Sequence, residues 1–387
     1  MDFPRLRSFL RQLGPRARLW SGGPGSTYAL VTAAFLLLLS MAGSVTTRAH
    51  HMRDAFAEEH YAEGLRAERA GKRAEAEDRF RAALAVSRDH PPYRLALARV
   101  LLNQNRWAEA ENHLKELAAL DPTNGEINLL LARAHRSGRQ FDSAVADYQR
   151  AIYGYWPPDK SDQRLLSRGE MVEMLAIRAE TSPAADRPVL WRRLMPELMQ
   201  WRDELPADSP SLREVARLFQ EAAAPNEAVA VWERLRAANP KDASISVGLA
   251  KARFDAGDYV QALAAYRDAL RLNRNLPSAR DGSELTESIV NSDPAARRLS
   301  ARERLARAIR LVESVAAEYD SCEETPELQQ ARQKLAEIRR RGTRDQTADE
   351  WIDLAETLWR RRGAACGSVP MHNAALPYVF RLLEKAG

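Results

Sequence analysis

Histidine and carboxylate side chains cluster between residues 50 and 60, and they are the first residues in the chain that could do chemistry. The cluster consists of His50, His51, Glu58, Glu59 and His60. Imidazole nitrogens and carboxylates are common ligands of zinc and related ions. The spacing does not give the HExxH pattern that places two histidines on one face of a helix. We therefore interpret these residues as a solvated segment and expect neither a metal site nor a cofactor.

The two cysteines, Cys322 and Cys366, are the next candidates for chemistry. They form no CxxC pair, which excludes a four-cysteine zinc site and a thioredoxin-type motif. In an oxidising compartment they could form one disulfide, and two unpaired thiols are the alternative. The chain also lacks a GxSxG motif and a GxxxxGK[ST] phosphate loop. We therefore expect no catalytic residues and no enzymatic activity.

The elements that would position any site are revealed by a repeat of 34 residues. Small residues recur at this interval in two blocks of the chain, and a bulky residue follows each of them four positions later. The small residues are Ala76, Ala110, Ala144, Ala228 and Ala262, and the bulky residues are Phe80, Leu114, Tyr148, Trp232 and Tyr266. A fixed step of this size indicates helix pairs that stack on one another.

This pattern resembles the tetratricopeptide repeat family, in which a small residue, a second small residue and an aromatic residue stand at positions 8, 20 and 24 of each copy. The resemblance covers repeats 1–3 in residues 57–156 and repeats 4–5 in residues 209–277. Arg73 departs from it, because the family often has an aromatic residue there. The resemblance implies an all-α fold, a right-handed superhelical solenoid of helical hairpins.

The resemblance also implies a concave groove, lined notably by positions 2, 5, 9 and 12 of the first helix of each pair. The candidate groove residues come from positions 5, 9 and 12, and they are Tyr61, Leu65, Leu95, Arg99, Leu129, Arg133, Arg136, Arg213, Arg217 and Lys251. The functional interpretation is a basic stripe beside apolar pockets that binds an acidic segment or the terminal carboxylate of a partner protein. The alternative is that arginine is simply common at exposed helix positions of this chain. The family's clamp for chaperone tails needs asparagine where Leu65 and Arg99 stand, so we do not expect that specificity.

The rest of the body is predicted to be helical. Residues 157–208 have the apolar periodicity of a divergent helical hairpin, with a bend at Pro196. Residues 278–387 are predicted to form a C-terminal helical capping region. Within it, the polar stretch 278–300 is predicted to be a loop with a short helix.

The N-terminal segment predicts a membrane anchor. Residues 27–45 carry no charge, and five arginines precede them in the basic tail of residues 1–26. This asymmetry favours one transmembrane helix with a cytoplasmic N-terminus and a periplasmic body, held in the inner membrane. A cleaved signal peptide and an organellar presequence are the alternatives.

Together these features predict a single-pass membrane-anchored adaptor or scaffold that binds a protein or peptide partner, in envelope protein assembly or quality control. Beyond residue 26 the acidic and basic residues nearly balance, so we expect no nucleic-acid binding. The alternative is a subunit of an enzyme or of a larger self-assembling complex, with its activity or contacts in the C-terminal helices. Solenoids of this kind usually bind other chains.

Overall fold

The computed structural model describes residues 24–320, 322, 324–367 and 369–386, without the side chains of residues 24–30, 43–50 and 386. Most of the predicted basic tail, residues 1–23, therefore lies outside the described residues. The described chain is all-α apart from one isolated bridge between Asn124 and Tyr155. It divides into two compact units, residues 1–167 and 168–387, which are described separately below.

The first unit consists of antiparallel helix pairs joined by short turns. Its helices are α1 (Pro24–Arg69), α2 (Arg73–Val86), α3 (Pro91–Asn103), α4 (Trp107–Leu120), α5 (Gly125–Ser137) and α6 (Phe141–Tyr153), and α7 (Asp162–Thr181) begins at its end. The 34-residue spacing governs its packing, because Ala76, Ala110 and Ala144 are completely buried. Gly64 shows why small residues are needed at these positions. A Cβ atom added at Gly64 would lie 2.5 Å from the ring of Phe80. Only small residues allow the helices of a pair to approach so closely.

The turn inside each helix pair places one residue in the left-handed region. The residue with positive φ recurs at the same step, at Gly71, Asn105 and Arg139 in the first unit and at Ala223 and Gly257 in the second. The sequence instead favours Gly138 as the flexible turn residue of the third pair. Gly138 has φ of −78°, and Arg139 adopts the left-handed conformation with φ of 58°. Repeat position therefore determines the backbone here, even where the residue type is unfavourable.

The second unit continues with helices that are less regular. They are α8 (Arg187–Glu204), α9 (Ser211–Glu221), α10 (Pro225–Ala238), α11 (Ala243–Asp255), α12 (Tyr259–Leu272), α13 (Pro277–Ser292), α14 (Ala301–Ala317), α15 (Pro326–Arg341), α16 (Ala348–Cys366) and α17 (Leu376–Ala386). Pro196 lies inside α8.

The loop prediction for residues 278–300 is wrong over most of its length, because α13 occupies Pro277–Ser292. Apart from Ile289, the residues that this helix buries are small or polar, namely Ala279, Ser283 and Thr286. The Thr286 hydroxyl donates to the carbonyl of Gly282. A buried polar side chain that bonds to its own helix replaces an apolar residue. The apolar stripe by which an amphipathic helix is recognised is then incomplete.

The end of the second unit contains a covalent link. Cys322 and Cys366 form a disulfide that joins the segment after α14 to the end of α16. The buried carboxylate of Glu318 lies close by and accepts hydrogen bonds from the backbone N–H groups of His372 and Asn373, at 2.9 and 2.8 Å. Together these contacts fix the loop that leads into α17.

The predicted membrane segment, residues 27–45, falls within α1, and the side chains at both of its ends lie outside the described ones. The described middle of the segment is exposed, with Phe35 at 61% and Leu38 at 66%. Within the part of the chain that the structure describes, no helix has both the length and the apolar character needed to cross a membrane.

Candidate protein-binding groove

The apolar positions of the predicted groove belong mainly to the core of the first unit. Tyr61 packs against Tyr93, with ring centroids 4.9 Å apart. Leu65 and Leu95 are half-buried against the same core. Leu129 on α5 is only 2% exposed, so in this structure its side chain offers little surface to a partner.

The basic positions of the first unit lie next to carboxylates. Arg99 on α3 donates to Glu126 at 2.7 Å and lies 4.0 Å from Glu68. Lys160 also donates to Glu126, at 2.8 Å. Burial favours the protonated form of Glu126, but Lys160 and Arg99 outweigh it and hold the pKa of this carboxyl below its usual value. Acidic and basic groups therefore alternate along this surface.

The remaining basic positions of the first unit are both on α5. Arg133 and Arg136 are half-buried there.

In the histidine and glutamate cluster of residues 50–60, Glu58 accepts a hydrogen bond from Tyr93 at 2.8 Å. Burial, together with this hydrogen bond, raises the pKa of Tyr93 to about 12.

The second unit pairs its predicted groove arginines in the same way. Arg213 donates to Asp242 at 2.6 Å and to Ser244 at 2.8 Å. Arg217 is bonded to Glu214 and Glu221 and lies 3.5 Å from Glu180.

These ion pairs leave the second-unit surface with mixed charge. Burial raises the pKa of Glu221, and its hydrogen bond with Glu180 acts in the same direction, so this carboxyl gives up its charge more readily than a free one. Lys251, in contrast, is exposed on α11. A partner carboxylate that approaches the arginines must therefore compete with carboxylates of the chain itself.

One buried polar cluster of the first unit could not be recognised from the repeat positions. His135 on α5 makes a 2.5 Å hydrogen bond through Nδ1 to Asp147 on α6, and its Nε2 lies 3.3 Å from Glu111 on α4. Asp147 is completely buried and also accepts a bond from Arg150. Lys115 and His135 together hold the pKa of Glu111 below its usual value. The cluster joins three successive helices, and its members do not line the predicted groove.

Two of the side chains that pair with the groove arginines stand at position 2 of a repeat. Reading that position in the sequence would have identified them. Glu126 stands at position 2 of its repeat and faces Arg99, at position 9 of the preceding repeat. Ser244, at position 2 of another repeat, accepts a hydrogen bond from Arg213, which stands at position 5 of the preceding repeat. Position 2 therefore has to be read together with positions 5 and 9 of the preceding repeat before a stripe is described as basic.

Comparison with known proteins agrees with the helix-pair architecture. A family model described as the tetratricopeptide repeat matches residues 95–160 and 216–279. A second model with the same description matches residues 67–119. The described part of the chain is therefore all-α, and it carries tetratricopeptide repeats in both units. A search of curated proteins gives no significant match.

Several solved structures are similar to this chain at low sequence identity. PilF of Pseudomonas aeruginosa is 14% identical, with a TM-score of 0.39, and the match covers 59% of this chain and 97% of that one. A tetratricopeptide repeat protein of Parabacteroides merdae is 11% identical, with a TM-score of 0.38 and coverage of 78% and 99%. The TPR domain of P58(IPK) is 13% identical, with a TM-score of 0.29 and coverage of 85% and 99%. With TM-scores this low, no functional conclusion rests on these structures.

Proposed function

We propose that this protein is a scaffold, anchored in the inner membrane by one helix, that holds a partner protein on the first helices of its repeats. The observation that carries the proposal is the match to tetratricopeptide repeats in both units. Repeats of this class generally bind protein partners, and they stack into extended binding surfaces. The right-handed superhelical path implied by the family, a role in envelope protein assembly or quality control, and the absence of enzymatic activity are parts of the same proposal.

The proposed ligand is a segment that carries an acidic group, held by Arg99 and Arg133 in the first unit and by Arg213, Arg217 and Lys251 in the second. The charge pairs of the surface refine the proposal. A ligand that also carries a basic group would replace both members of a pair, such as Arg99 and Glu126, without leaving either group unpaired. We therefore expect a partner segment of mixed charge rather than a purely acidic one.

Two features support the proposed location. Uncharged residues 27–45 follow a tail with five arginines, which favours retention of the tail in the cytoplasm. The disulfide between Cys322 and Cys366 suits an oxidising compartment, because such bonds are rare in reducing cytosol. The periplasm combines an oxidising environment with a position beyond the inner membrane.

Reporter fusions test the location. Alkaline phosphatase fused after Gly387 should be active, and a fluorescent protein fused before Met1 should fluoresce, because each reporter works on only one side of the membrane. The full-length protein should remain in the membrane fraction with an intact N-terminus. Recovery of a soluble form that begins near Val45 would show that residues 27–45 are a cleaved signal instead.

Charge reversal on the groove tests the binding surface. Membranes that contain the Arg99→Glu/Arg133→Glu double variant should yield about tenfold less cross-linked partner than wild-type membranes, because two cations would become like-charged with the ligand. The matched control is Arg73→Glu/Arg88→Glu, which changes two exposed arginines away from the first helices. Circular dichroism establishes that both variants are equally helical.

Equal capture by the two double variants would remove the groove from the proposal. If the cross-linked product is a multimer of the chain itself, the alternative, a self-assembling complex with contacts in the C-terminal helices, takes its place.

A further inference from the structure

The second unit has an apolar cleft whose lining contains none of the predicted groove residues. It measures about 830 Å³ and lies between α8 and the end of α9. Its apolar walls come from Pro188, Trp191, Met195 and Met199 on α8 and from Ala222 and Ala223 beyond α9. The α8 residues belong to the region between the two repeat blocks, whose function the repeat pattern does not explain, and Ala222 and Ala223 belong to the turn inside the fourth repeat.

Helix α8 presents two apolar faces, and only one of them is used by the core. Leu194, Leu198 and Trp201 are buried at 1%, 0% and 4% exposure. Met195 and Met199 lie one position further along and remain half-exposed in the cleft. Methionine side chains are flexible and polarisable, and they adapt well to apolar side chains of different shapes. The second face therefore has the properties of a docking surface for an apolar segment.

Two arginines at the edge of the cleft determine the charge that suits it. The Nε of Arg187 donates to the carbonyl of Ser182 at 2.9 Å, and the Nε of Arg192 donates to that of Pro188 at 3.3 Å. Across the described residues, neither guanidinium has a carboxylate within ion-pair distance. Glu221, the one acidic residue of the lining, is bonded to Arg217. The edge therefore has positive charge without an internal counter-ion.

From these observations we propose that the α8 cleft binds a partner protein through a short segment in which a large apolar residue adjoins an acidic residue. The apolar side chain contacts Met195, Met199 and Trp191, and the carboxylate pairs with the guanidinium groups of Arg187 and Arg192. This second site goes beyond the proposed groove and does not depend on it.

Three synthetic peptides of about 14 residues, the length of four helical turns, test this proposal. The first has leucine on one face with adjacent glutamates, the second replaces the leucines by serine, and the third replaces the glutamates by lysine. The full-length protein, in lipid nanodiscs and labelled with ¹³C at its methionine methyl groups, is titrated with each peptide. The first peptide should shift the Met195 and Met199 signals and leave that of Met371 unchanged, and the other two should bind about tenfold more weakly.

Two adjacent arginines provide the matched variants. Arg192 lines the cleft, whereas Arg193 is exposed on α8 and is not part of the lining. Arg192→Glu should weaken binding of the acidic peptide about tenfold and strengthen that of the lysine peptide, while Arg193→Glu should change either by less than about twofold. Both variants exchange the same charge on the same helix, so a general loss of folding would affect both alike.

Several outcomes would overturn the proposal. They are equal binding of the acidic and basic peptides, equal effects of the two arginine substitutions, and no shift of Met195 or Met199 at millimolar peptide. Shifts of these two signals that follow protein concentration without peptide would identify a second copy of the chain as the occupant. Shifts that depend on the lipid of the nanodisc would identify a membrane surface instead. Either result would also reject the proposed peptide ligand.

Discussion

Arg99 of the first unit and Arg192 of the second unit carry the same guanidinium group in different surroundings. Arg99 donates to Glu126 at 2.7 Å, and a second carboxylate lies 4.0 Å away. Arg192 donates only to the backbone carbonyl of Pro188 among the residues described. The first arginine already has its counter-ions, whereas the second can accept a carboxylate from another chain.

The difference shows that repeat position alone does not identify a binding residue. A basic residue at position 9 belongs to a surface of mixed charge when position 2 of the next repeat is acidic, as it is at Glu126. A partner gains little from an arginine that must first release another carboxylate. Arginines without such a neighbour, in contact with apolar surface, are the stronger candidates for recognition.

Arg168 adds an almost completely buried arginine to this comparison. Its replacement should have the largest effect on the free energy of unfolding. Its side chain is 1% exposed and bonds to Glu197 at 2.6 Å and to Glu204 at 2.9 Å. Arg168→Met should lower the free energy of unfolding by about 3 kcal/mol, because two partly buried carboxylates lose their counter-ion. Urea unfolding followed by tryptophan fluorescence measures the loss.

Arg193→Met is the control for that experiment, because Arg193 is exposed and lies on α8. Its effect should stay within about 0.5 kcal/mol. Similar losses for both variants would mean that burial does not distinguish the two arginines.

The buried cluster of the first unit should show the next largest effect. Asp147 is completely buried and accepts hydrogen bonds from His135 and Arg150. Asp147→Asn should cost about 2 kcal/mol, since the anionic acceptor of both bonds becomes a neutral amide and one amide N–H faces a donor. Thermal unfolding monitored by circular dichroism measures this loss. Asp78→Asn changes an exposed carboxylate of the same unit and should leave the unfolding temperature nearly unchanged.

Much of the helix-pair architecture could be predicted from the sequence, because residues 34 positions apart occupy equivalent places in successive helix pairs. Ala76 and Phe80 are both completely buried, as the spacing requires. Helix α13 was missed because its buried face contains Ser283 and Thr286 in place of large apolar residues. A polar residue that satisfies its own hydrogen bonds gives no hydrophobic signal.

The candidate sites were less accessible to sequence reasoning. The repeat pattern located the first helices, but the pairing of Arg99 with Glu126 joins two different repeats. Helix α8 lies outside the repeats, so no family position points to Met195 or Met199. Its recognition required knowing which face of α8 the core had already covered.

Replacing Arg99 or Arg192 by alanine compares these two arginines directly, and its effect on the free energy of unfolding should be smaller than the two above. Arg99→Ala should cost about 1 kcal/mol near neutral pH, whereas Arg192→Ala should cost almost nothing. The pKa of Glu126 is lowered in the folded protein from its ordinary 4.5. Its contribution is therefore fully present above the unfolded pKa and is lost as the pH falls through the folded pKa. The cost of Arg99→Ala should accordingly shrink in acid.

Urea unfolding of both variants at about pH 7 and about pH 3 measures this difference. A cost of Arg99→Ala that is the same at the two pH values would show that the ion pair does not stabilise the fold.

The smallest effect concerns an arginine whose backbone, rather than its charge, is constrained. Arg139 has φ of 58° at the turn where Gly71 and Gly257 stand in other repeats. The left-handed conformation costs a residue with a side chain about 1 kcal/mol or more, and glycine avoids this cost but loses more entropy on folding. Arg139→Gly should therefore raise the free energy of unfolding by about 0.5 kcal/mol. Ser137→Gly, inside the last turn of α5, should lower it by a similar amount. Urea unfolding measures both changes in the free energy of unfolding. Changes of opposite sign would show that backbone conformation controls this position, rather than a contact of the arginine side chain.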